Sequence, residues 1–168
     1  MLFRSLTDPA LIHALVAAGQ AGASIDLIVR GACMLPPQRA GLTDTIRVRS
    51  VVGRFLEHSR ILYFRWGEEE ADEVLYLSSA DWMSRNMFRR IEIAWPVRDP
   101  VLRQRIIDEG LVPYLHDSLD AWALDGQGHY HRVGEGGVSA PAALDRVSAQ
   151  AALDRVSAQA ALMQRYGS

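Results

Sequence analysis

The chain has 168 residues, the size of one domain, and its 49% apolar content can form a core without disulfides. Its single cysteine, Cys33, cannot form an internal disulfide, which favours a reducing, cytoplasmic setting. The net charge of −2 gives no sign of a nucleic-acid partner, and the sequence shows neither a membrane-spanning run of about 18 apolar residues nor a secretory leader.

The first elements along the chain are a helix and a buried strand. Asp8-Pro9 is typical of a helix start, because the acid can cap free amides and proline fits the first turn, and Gly19 and Gly22 predict the end. Ser24–Val29 has apolar residues on both faces, which indicates a central strand. Arg30 follows directly, at the carboxyl end of a strand, where ligands bind in open α/β sheets.

Basic charge concentrates in the next segment. All 18 basic residues are arginines, and seven of them lie from Arg30 to Arg65, where there are only two acids. The alternating stretch Ile46–Val52 predicts a strand with Arg47 and Arg49 on one face. These two side chains belong either to an ion-paired solvent face or to a track for a polyanion.

The most suggestive residues lie in the stretch Ser50–Arg60. A short connection, about one helical turn long, is predicted at Gly53–Glu57. Beyond it, His58 and Arg60 are two positions apart and share one face if the stretch is a strand. A histidine beside an arginine suits the binding and transfer of phosphoryl groups.

The remaining elements are predicted from their patterns. A second helix runs from Asp99-Pro100 to Leu115, with its apolar residues at helical spacing. Further strands are predicted at Arg60–Phe64, Val74–Leu77, Arg89–Ala94, Trp122–Leu124 and Tyr130–Val133. From Pro141 the sequence is helical, and the nonamer AALDRVSAQ occurs twice, at Ala142–Gln150 and Ala151–Gln159. We interpret the repeat as a recent tandem duplication or as a helix that reaches a partner.

A strand with a His-x-Arg pair, followed by a strand that ends in a hydroxyl-rich turn, resembles the half-site of the phospholipase D superfamily. The matching residues are His58, Arg60, Ser78, Ser79 and, in the place of an asparagine, Asp81. Two positions depart from the pattern: Arg60 replaces a lysine, and Arg65 stands where an acid is expected. The missing acid argues against phosphodiesterase activity, because that acid helps the histidine to act as a nucleophile.

A longer resemblance runs from about Phe3 to Tyr166, apart from the duplicated nonamer. It rests on five stretches, IDLIVRGACMLPP, GLTDTIRVRSVVGRFLEHSRILYF, LYLSSADWMSRN, RRIEIAWPVRDP and AALMQRY. Together they are similar to the C-terminal domain of bacterial polyphosphate kinases of type one. The resemblance implies an α/β fold, a phospholipase D-like mixed sheet flanked by helices, with a C-terminal helix. We expect residues 1–138 to form that domain and residues 139–168 a helical extension with the duplicated nonamer.

The resemblance also implies an activity for the whole enzyme. Its members transfer the γ-phosphate of ATP reversibly to polyphosphate through a phosphohistidine in a preceding domain. Because Met1 falls inside the family pattern, we expect the chain to be an excised domain that is inactive alone. Its expected partners are ATP or ADP, polyphosphate and the remaining domains of a homo-oligomeric enzyme, with Mg²⁺ bound by ligands outside this chain.

Two residue roles carry over from the family. Arg30, in IVRG, matches an arginine that contacts the phosphates of ATP. His58, in EHSR, matches a histidine at the nucleotide site that is proposed as the acid assisting transfer. The residues expected only to shape the site are Arg54, Arg60, Ser78, Ser79, Asp81, Arg85 and Asn86. No metal ligand is expected in this chain.

Two other functions remain open at this point. The chain could be a phospholipase D-type phosphodiesterase that pairs two half-sites by dimerisation, although Arg65 and the single half-site disfavour this. It could instead be a non-catalytic module that binds polyanions. Such a module would bind polyphosphate with a steep salt dependence and would ignore ATP.

Overall fold

The computed structural model describes residues 1–134 and 156–167. Within these residues, eight strands form one mixed sheet in the spatial order β6-β5-β4-β1-β2-β3-β7-β8. The central strands β1, β2 and β3 are parallel, and all other neighbours are antiparallel. The strands are β1 Leu2–Phe3, β2 Ile25–Val29, β3 Ile46–Val51, β4 Ile61–Arg65, β5 Glu73–Ser78, β6 Ala94–Pro96, β7 Ala121–Leu124 and β8 Tyr130–Arg132.

Helices accompany the sheet. They are α1 Pro9–Gln20, α2 Ser84–Arg89, α3 Pro100–Gly110, α4 Val112–His116 and α5 Ala158–Tyr166, and a short 3₁₀ turn, Glu70–Asp72, precedes β5. Both predicted helix starts are confirmed. The Asp8 carboxylate accepts hydrogen bonds from two first-turn amides of α1, both at 3.1 Å. The Asp99 carboxylate does the same for α3, at 2.9 and 3.0 Å.

Both faces of the sheet are covered, as the apolar pattern of β2 predicts. Leu27 and Val29 pack with Leu15 of α1 on one face. Ile28 points to the other face and packs in a second cluster with residues of α3, α4 and α5. Each fully buried branched side chain of this kind contributes about 1.5–3 kcal/mol to folding. The observed mixed α/β sheet with helices on its faces and a C-terminal helix confirms the predicted fold class.

The segment that contains His58 differs from the prediction. Residues 52–60 form neither a strand nor the helical turn predicted at Gly53–Glu57. His58 and Arg60 lie before β4, which begins at Ile61, so they are not neighbours on a strand face. The segment departs from the prediction because side chains of α4 and α5, which are distant in sequence, hold it in place.

Two further predictions are corrected. Arg89–Ala94 is not a strand, because Arg89 ends α2 and β6 begins only at Ala94, where pairing with β5 starts. The alternating apolar residues Ile91 and Ile93 are exposed. The second predicted helix is broken at Leu111, whose φ of −120° leaves the helical region, and Pro113 then lies in the first turn of α4.

The C-terminal predictions are only partly accessible. The whole first copy of the nonamer and residues 151–155 of the second lie outside the described residues, as does the predicted domain boundary at 138/139. The described part begins at Val156, and α5 starts at Ala158. Within the described ranges, no helix combines the length and the apolar character needed to cross a bilayer.

Candidate functional site

One end of the sheet gathers the predicted phosphate-binding residues. Because β1 is parallel to β2 and antiparallel to β4, Arg30 after β2 and Arg60 before β4 lie at the same end. Ser78, the last residue of β5, donates its amide hydrogen to the Arg60 carbonyl at 3.0 Å. Ser50 of β3 donates from Oγ to the Arg30 carbonyl at 3.3 Å. The segments around Arg30 and Arg60 are therefore brought together by sheet register, although they are distant in sequence.

The backbone on both sides of Arg30 is fixed, while its side chain keeps a free donor. The amide of Gly31 donates to the Arg4 carbonyl at 2.6 Å, and a Cβ at Gly31 would lie only 2.9 Å from that carbonyl oxygen. Arg30 Nε is buried and has no hydrogen-bond partner within the described residues. An unpaired guanidinium N–H is costly to bury, so the Nε of Arg30 is a strained feature of this sheet end.

Asp81 organises the other half of this sheet end. Its carboxylate accepts from Arg60 Nε at 3.2 Å and from Arg60 Nη2 at 3.1 Å, a two-point contact. It also accepts the Arg4 amide hydrogen at 3.0 Å, which ties the end of β1 to the pair. The third nitrogen of Arg60 contacts His58, which is itself exposed. The structure thus brings three of the predicted residues into one chain of contacts.

Two side chains that the sequence did not reveal hold the His58 segment. Gln159 of α5 accepts the Phe55 amide hydrogen at 2.7 Å and donates to the Phe55 carbonyl at 2.8 Å. Tyr114 of α4 donates its hydroxyl hydrogen to Glu57. Burial raises the pKa of Tyr114 above its ordinary range, and the Glu57 carboxylate raises it further. These contacts join residues up to 104 positions apart, so no local pattern could indicate them.

The hydroxyl-rich turn after β5 is used to hold a neighbouring loop. Ser78 Oγ donates to the Ile93 carbonyl at 3.2 Å, and the Ser79 hydroxyl donates to Glu92. Asn86, buried on α2, donates from Nδ2 to Glu92 at 2.6 Å. The hydrogen bond from Ser79, followed by that from Asn86, lowers the pKa of Glu92. Glu92 was missed by the sequence analysis, because only the folded chain brings it to these two residues.

The remaining arginines divide into exposed and engaged side chains. Arg54 is exposed and lies 5.5 Å from the centre of the Phe55 ring, and Arg85 is exposed on α2. Arg47 instead pairs with Asp26 at 2.7 Å, and Arg49 donates to carbonyls of α4, where burial lowers its pKa. Of the two interpretations of this strand face, the ion pair is confirmed for Arg47, whereas the polyanion track is not supported, since both side chains are committed to the fold.

A metal centre has no basis in the described part of the chain. Within residues 1–134 and 156–167, no group of three or more His, Cys, Asp or Glu side chains is arranged to hold an ion. The residues at the sheet end are mainly arginine, serine and histidine, which suit anionic oxygens and do not fit Mg²⁺.

Comparison with known proteins identifies the family. Residues 1–143 match the family described as polyphosphate kinase C-terminal domain 2. Polyphosphate kinases of Burkholderia cenocepacia and Burkholderia vietnamiensis are 53% and 55% identical to the chain over 128 residues. These residues are 76% of this chain and 18% of each relative. The chain therefore spans about a fifth of the length of the curated relatives that it matches.

A solved structure indicates the same family. The crystal structure of polyphosphate kinase from Porphyromonas gingivalis superimposes with a TM-score of 0.79 at 37% sequence identity. The match covers 98% of this chain and 22% of that one. With a mixed sheet that carries Arg30 and His58 near one end, and with matches in both sequence and fold, the chain belongs to the polyphosphate kinase C-terminal domain 2 family.

Proposed function

We propose that the chain supplies part of the ATP and phosphate site of a polyphosphate kinase, which reversibly transfers the γ-phosphate of ATP to polyphosphate. The observation that carries this proposal is the common position of Arg30 and the His58–Arg60 pair at one end of the sheet. Family membership supports the activity of the full enzyme. The chain itself contributes binding and positioning groups.

Each residue has a role that its surroundings support. Arg30, placed directly after the carboxyl end of β2, binds phosphate oxygens through its guanidinium group and balances their charge. Phosphoryl transfer depends mainly on in-line positioning and on cations near the developing charge. His58, exposed at the same end, contacts the phosphoryl group that is transferred. Arg54 and Arg85 are exposed cations that can extend the contact with a long polyanion.

The other parts of the reaction belong to residues outside this chain. The match covers only 18% of each relative, and we place the phosphohistidine and the magnesium ligands in their additional domains. No step is assigned to Mg²⁺ here, because the described residues do not fit it. Homo-oligomeric assembly and a cytoplasmic location complete the proposal; the first rests on the family resemblance and the second on the single free cysteine, Cys33.

A chimaera tests the assignment. This chain replaces the matching segment of the Burkholderia cenocepacia enzyme, and ATP-dependent polyphosphate synthesis is measured. We expect Arg30→Ala and His58→Ala each to lower the rate about 100-fold, the usual loss when a group that stabilises transferred charge is removed. Arg105→Ala, which removes an exposed pair on α3, is the control and should be neutral. Unchanged rates in Arg30→Ala and His58→Ala would contradict the assignment.

The chain without other domains distinguishes the alternatives. We expect it to make no polyphosphate, and synthesis by the isolated chain would show that the phosphohistidine domain is not needed. Hydrolysis of a nitrophenyl phosphodiester would favour the phospholipase D-type enzyme. Calorimetric binding of polyphosphate without any binding of ATP would favour a non-catalytic polyanion module.

A further inference from the structure

The position of Arg60 is determined by a buried carboxylate. The side chains of Arg60 and Asp81 are only 12% and 5% exposed. Two of the three guanidinium nitrogens, Nε and Nη2, donate to the two oxygens of Asp81. This two-point contact fixes the distance between the guanidinium and the carboxylate and the plane of the guanidinium group. The third nitrogen, Nη1, therefore has a defined direction.

That third nitrogen holds His58 at two points. Arg60 Nη1 lies 3.0 Å from the His58 carbonyl oxygen and 3.1 Å from His58 Nδ1. The carbonyl contact positions the backbone, and the Nδ1 contact positions the ring. Arg60 therefore has acceptors within the protein at all three nitrogens, and four of its five N–H groups are engaged.

The contact with the ring also determines where its proton lies. A guanidinium group can only donate hydrogen bonds, so Nδ1 must accept and cannot carry a hydrogen. In the neutral ring the proton is then on Nε2. Nε2 is also the ring nitrogen that the Arg60 contact leaves available to a ligand at the exposed sheet end.

We propose that Arg60 is a positioning residue that fixes His58 as the Nε2–H tautomer, so that His58 donates a hydrogen bond to a phosphoryl oxygen and keeps its proton. The hydrogen bond to the phosphoryl oxygen rests on the proposed function, whereas the tautomer rests only on the contact with Arg60. During transfer, the bond from the γ-phosphorus to the bridging oxygen breaks, and its electron pair stays on the ADP oxygen. The acceptor supplies the pair for the new bond. His58 begins and ends neutral, since loss of its only ring proton would leave an imidazolate.

Nitrogen NMR of the histidine-labelled chain tests the tautomer. In a two-bond proton–nitrogen correlation at neutral pH, we expect His58 to show a single Nε2–H form. Exposed His13 on α1 gives the averaged pattern of an unrestrained ring in the same spectrum. Arg60→Lys keeps the charge and loses the fork, and it should move the His58 signals to the His13 pattern. A wild-type His58 that matches His13, or that carries its proton on Nδ1, would overturn the proposal, whether or not the variant folds.

Activity of the chimaera tests the role of the hydrogen bond. The amide of His58→Gln can place an N–H group near the position of Nε2 but cannot act as an acid. We expect His58→Gln to be about tenfold more active than His58→Ala, the effect of one net hydrogen bond. Equal rates in the two variants, both far below wild type, would mean that His58 gives up its proton and would refute this part. Wild-type activity in His58→Ala would show that His58 takes no part in the reaction and would refute its hydrogen bond to phosphate. The NMR measurement would then still decide whether Arg60 fixes the tautomer.

Discussion

Asp81 shows how much a single residue contributes at this sheet end. It neutralises Arg60 in a nearly dry environment and also satisfies the amide of Arg4. The sequence pattern indicated Asp81 only as a substitute for an asparagine. Its charge becomes meaningful once Arg60, 21 positions earlier, is seen to occupy the same buried space.

Replacement of Asp81 is expected to be costly. Asp81→Ala leaves the Arg60 cation and the Arg4 amide without their acceptor, and the expected loss in the free energy of unfolding is about 3 kcal/mol. Arg105→Ala breaks a pair whose arginine is 61% exposed, and the free energy of unfolding should change little, because solvent screens the pair. Urea unfolding of both variants measures the difference. Similar small losses would show that the buried pair contributes little.

Glu57 makes stability depend on pH. Burial opposes ionisation, but hydrogen bonds from Ser59 and Tyr114 prevail and lower the pKa of Glu57 below its ordinary value of 4.5. The unfolded chain therefore binds more protons near pH 4, so the contribution of Glu57 is present above about pH 4.5 and is lost as the pH falls. We expect Glu57→Gln to lower the free energy of unfolding by ~1 kcal/mol at neutral pH. Below about pH 4.5, urea unfolding should show a smaller fall in that free energy than in the wild type. The same fall in the free energy of unfolding at acid pH in variant and wild type would exclude this role of Glu57.

At the scale of elements, local patterns predicted what is locally determined. The starts of α1 and α3, the buried strand β2 and the strands β7 and β8 follow from caps, apolar runs and strand patterns, and all are observed. The two-residue strand β1 was missed, because it is too short to show a period. The stretch before Ala94 alternates like a strand, but the ladder with β5 starts only at Ala94, so its pattern alone was misleading.

The His58 segment could not be predicted, because α5 determines its path. A Cβ on Gly53 would lie 2.5 Å from Gln159 Oε1, so a larger residue at this position would displace the Gln159 side chain. Gln159 then bonds both backbone groups of Phe55. The candidate site was found in part from the Arg30 and His58 motifs, whereas the contacts that position His58 required the fold.

Removal of the Gln159 amide tests this link. Gln159→Ala leaves the Phe55 amide without its acceptor, and we expect that amide to exchange at least about tenfold faster with deuterium, with a loss of about 1–3 kcal/mol. The matched control is Gln164→Ala on the exposed side of the same helix, which should change neither quantity. Unchanged protection of Phe55 in Gln159→Ala would mean that α5 does not hold the segment.

At the scale of the whole molecule, four consecutive residues before and at the start of α5 bind to earlier parts of the chain. Val156 exchanges hydrogen bonds with Ser118, at 2.9 and 3.0 Å. Ser157 donates to Asp120 at 2.6 Å, and the Ala158 amide donates to Asp117 at 2.7 Å. Gln159 completes the series. These residues, VSAQ, are the last four of the second nonamer copy, and the same letters end the first copy at positions 147–150.

A chain with one nonamer should therefore fold like the full chain. Deletion of residues 142–150 or of residues 151–159 gives the same sequence, and in both cases VSAQ still precedes AALMQRY. We expect the free energy of unfolding to change by less than about 0.5 kcal/mol, because the docked contacts persist and only the connecting segment is shorter. Thermal and urea unfolding provide the measurement. A loss of several kcal/mol would show that both copies are needed.

The place of VSAQ at the end of the repeated unit has a consequence for the gene. Replication slippage that adds or removes a whole unit alters only the length of chain that precedes the docked residues. The helix always begins with the same alanine and glutamine, and Phe55 always meets the same amide. Length variants of this region can thus arise in a population without a change at the candidate site.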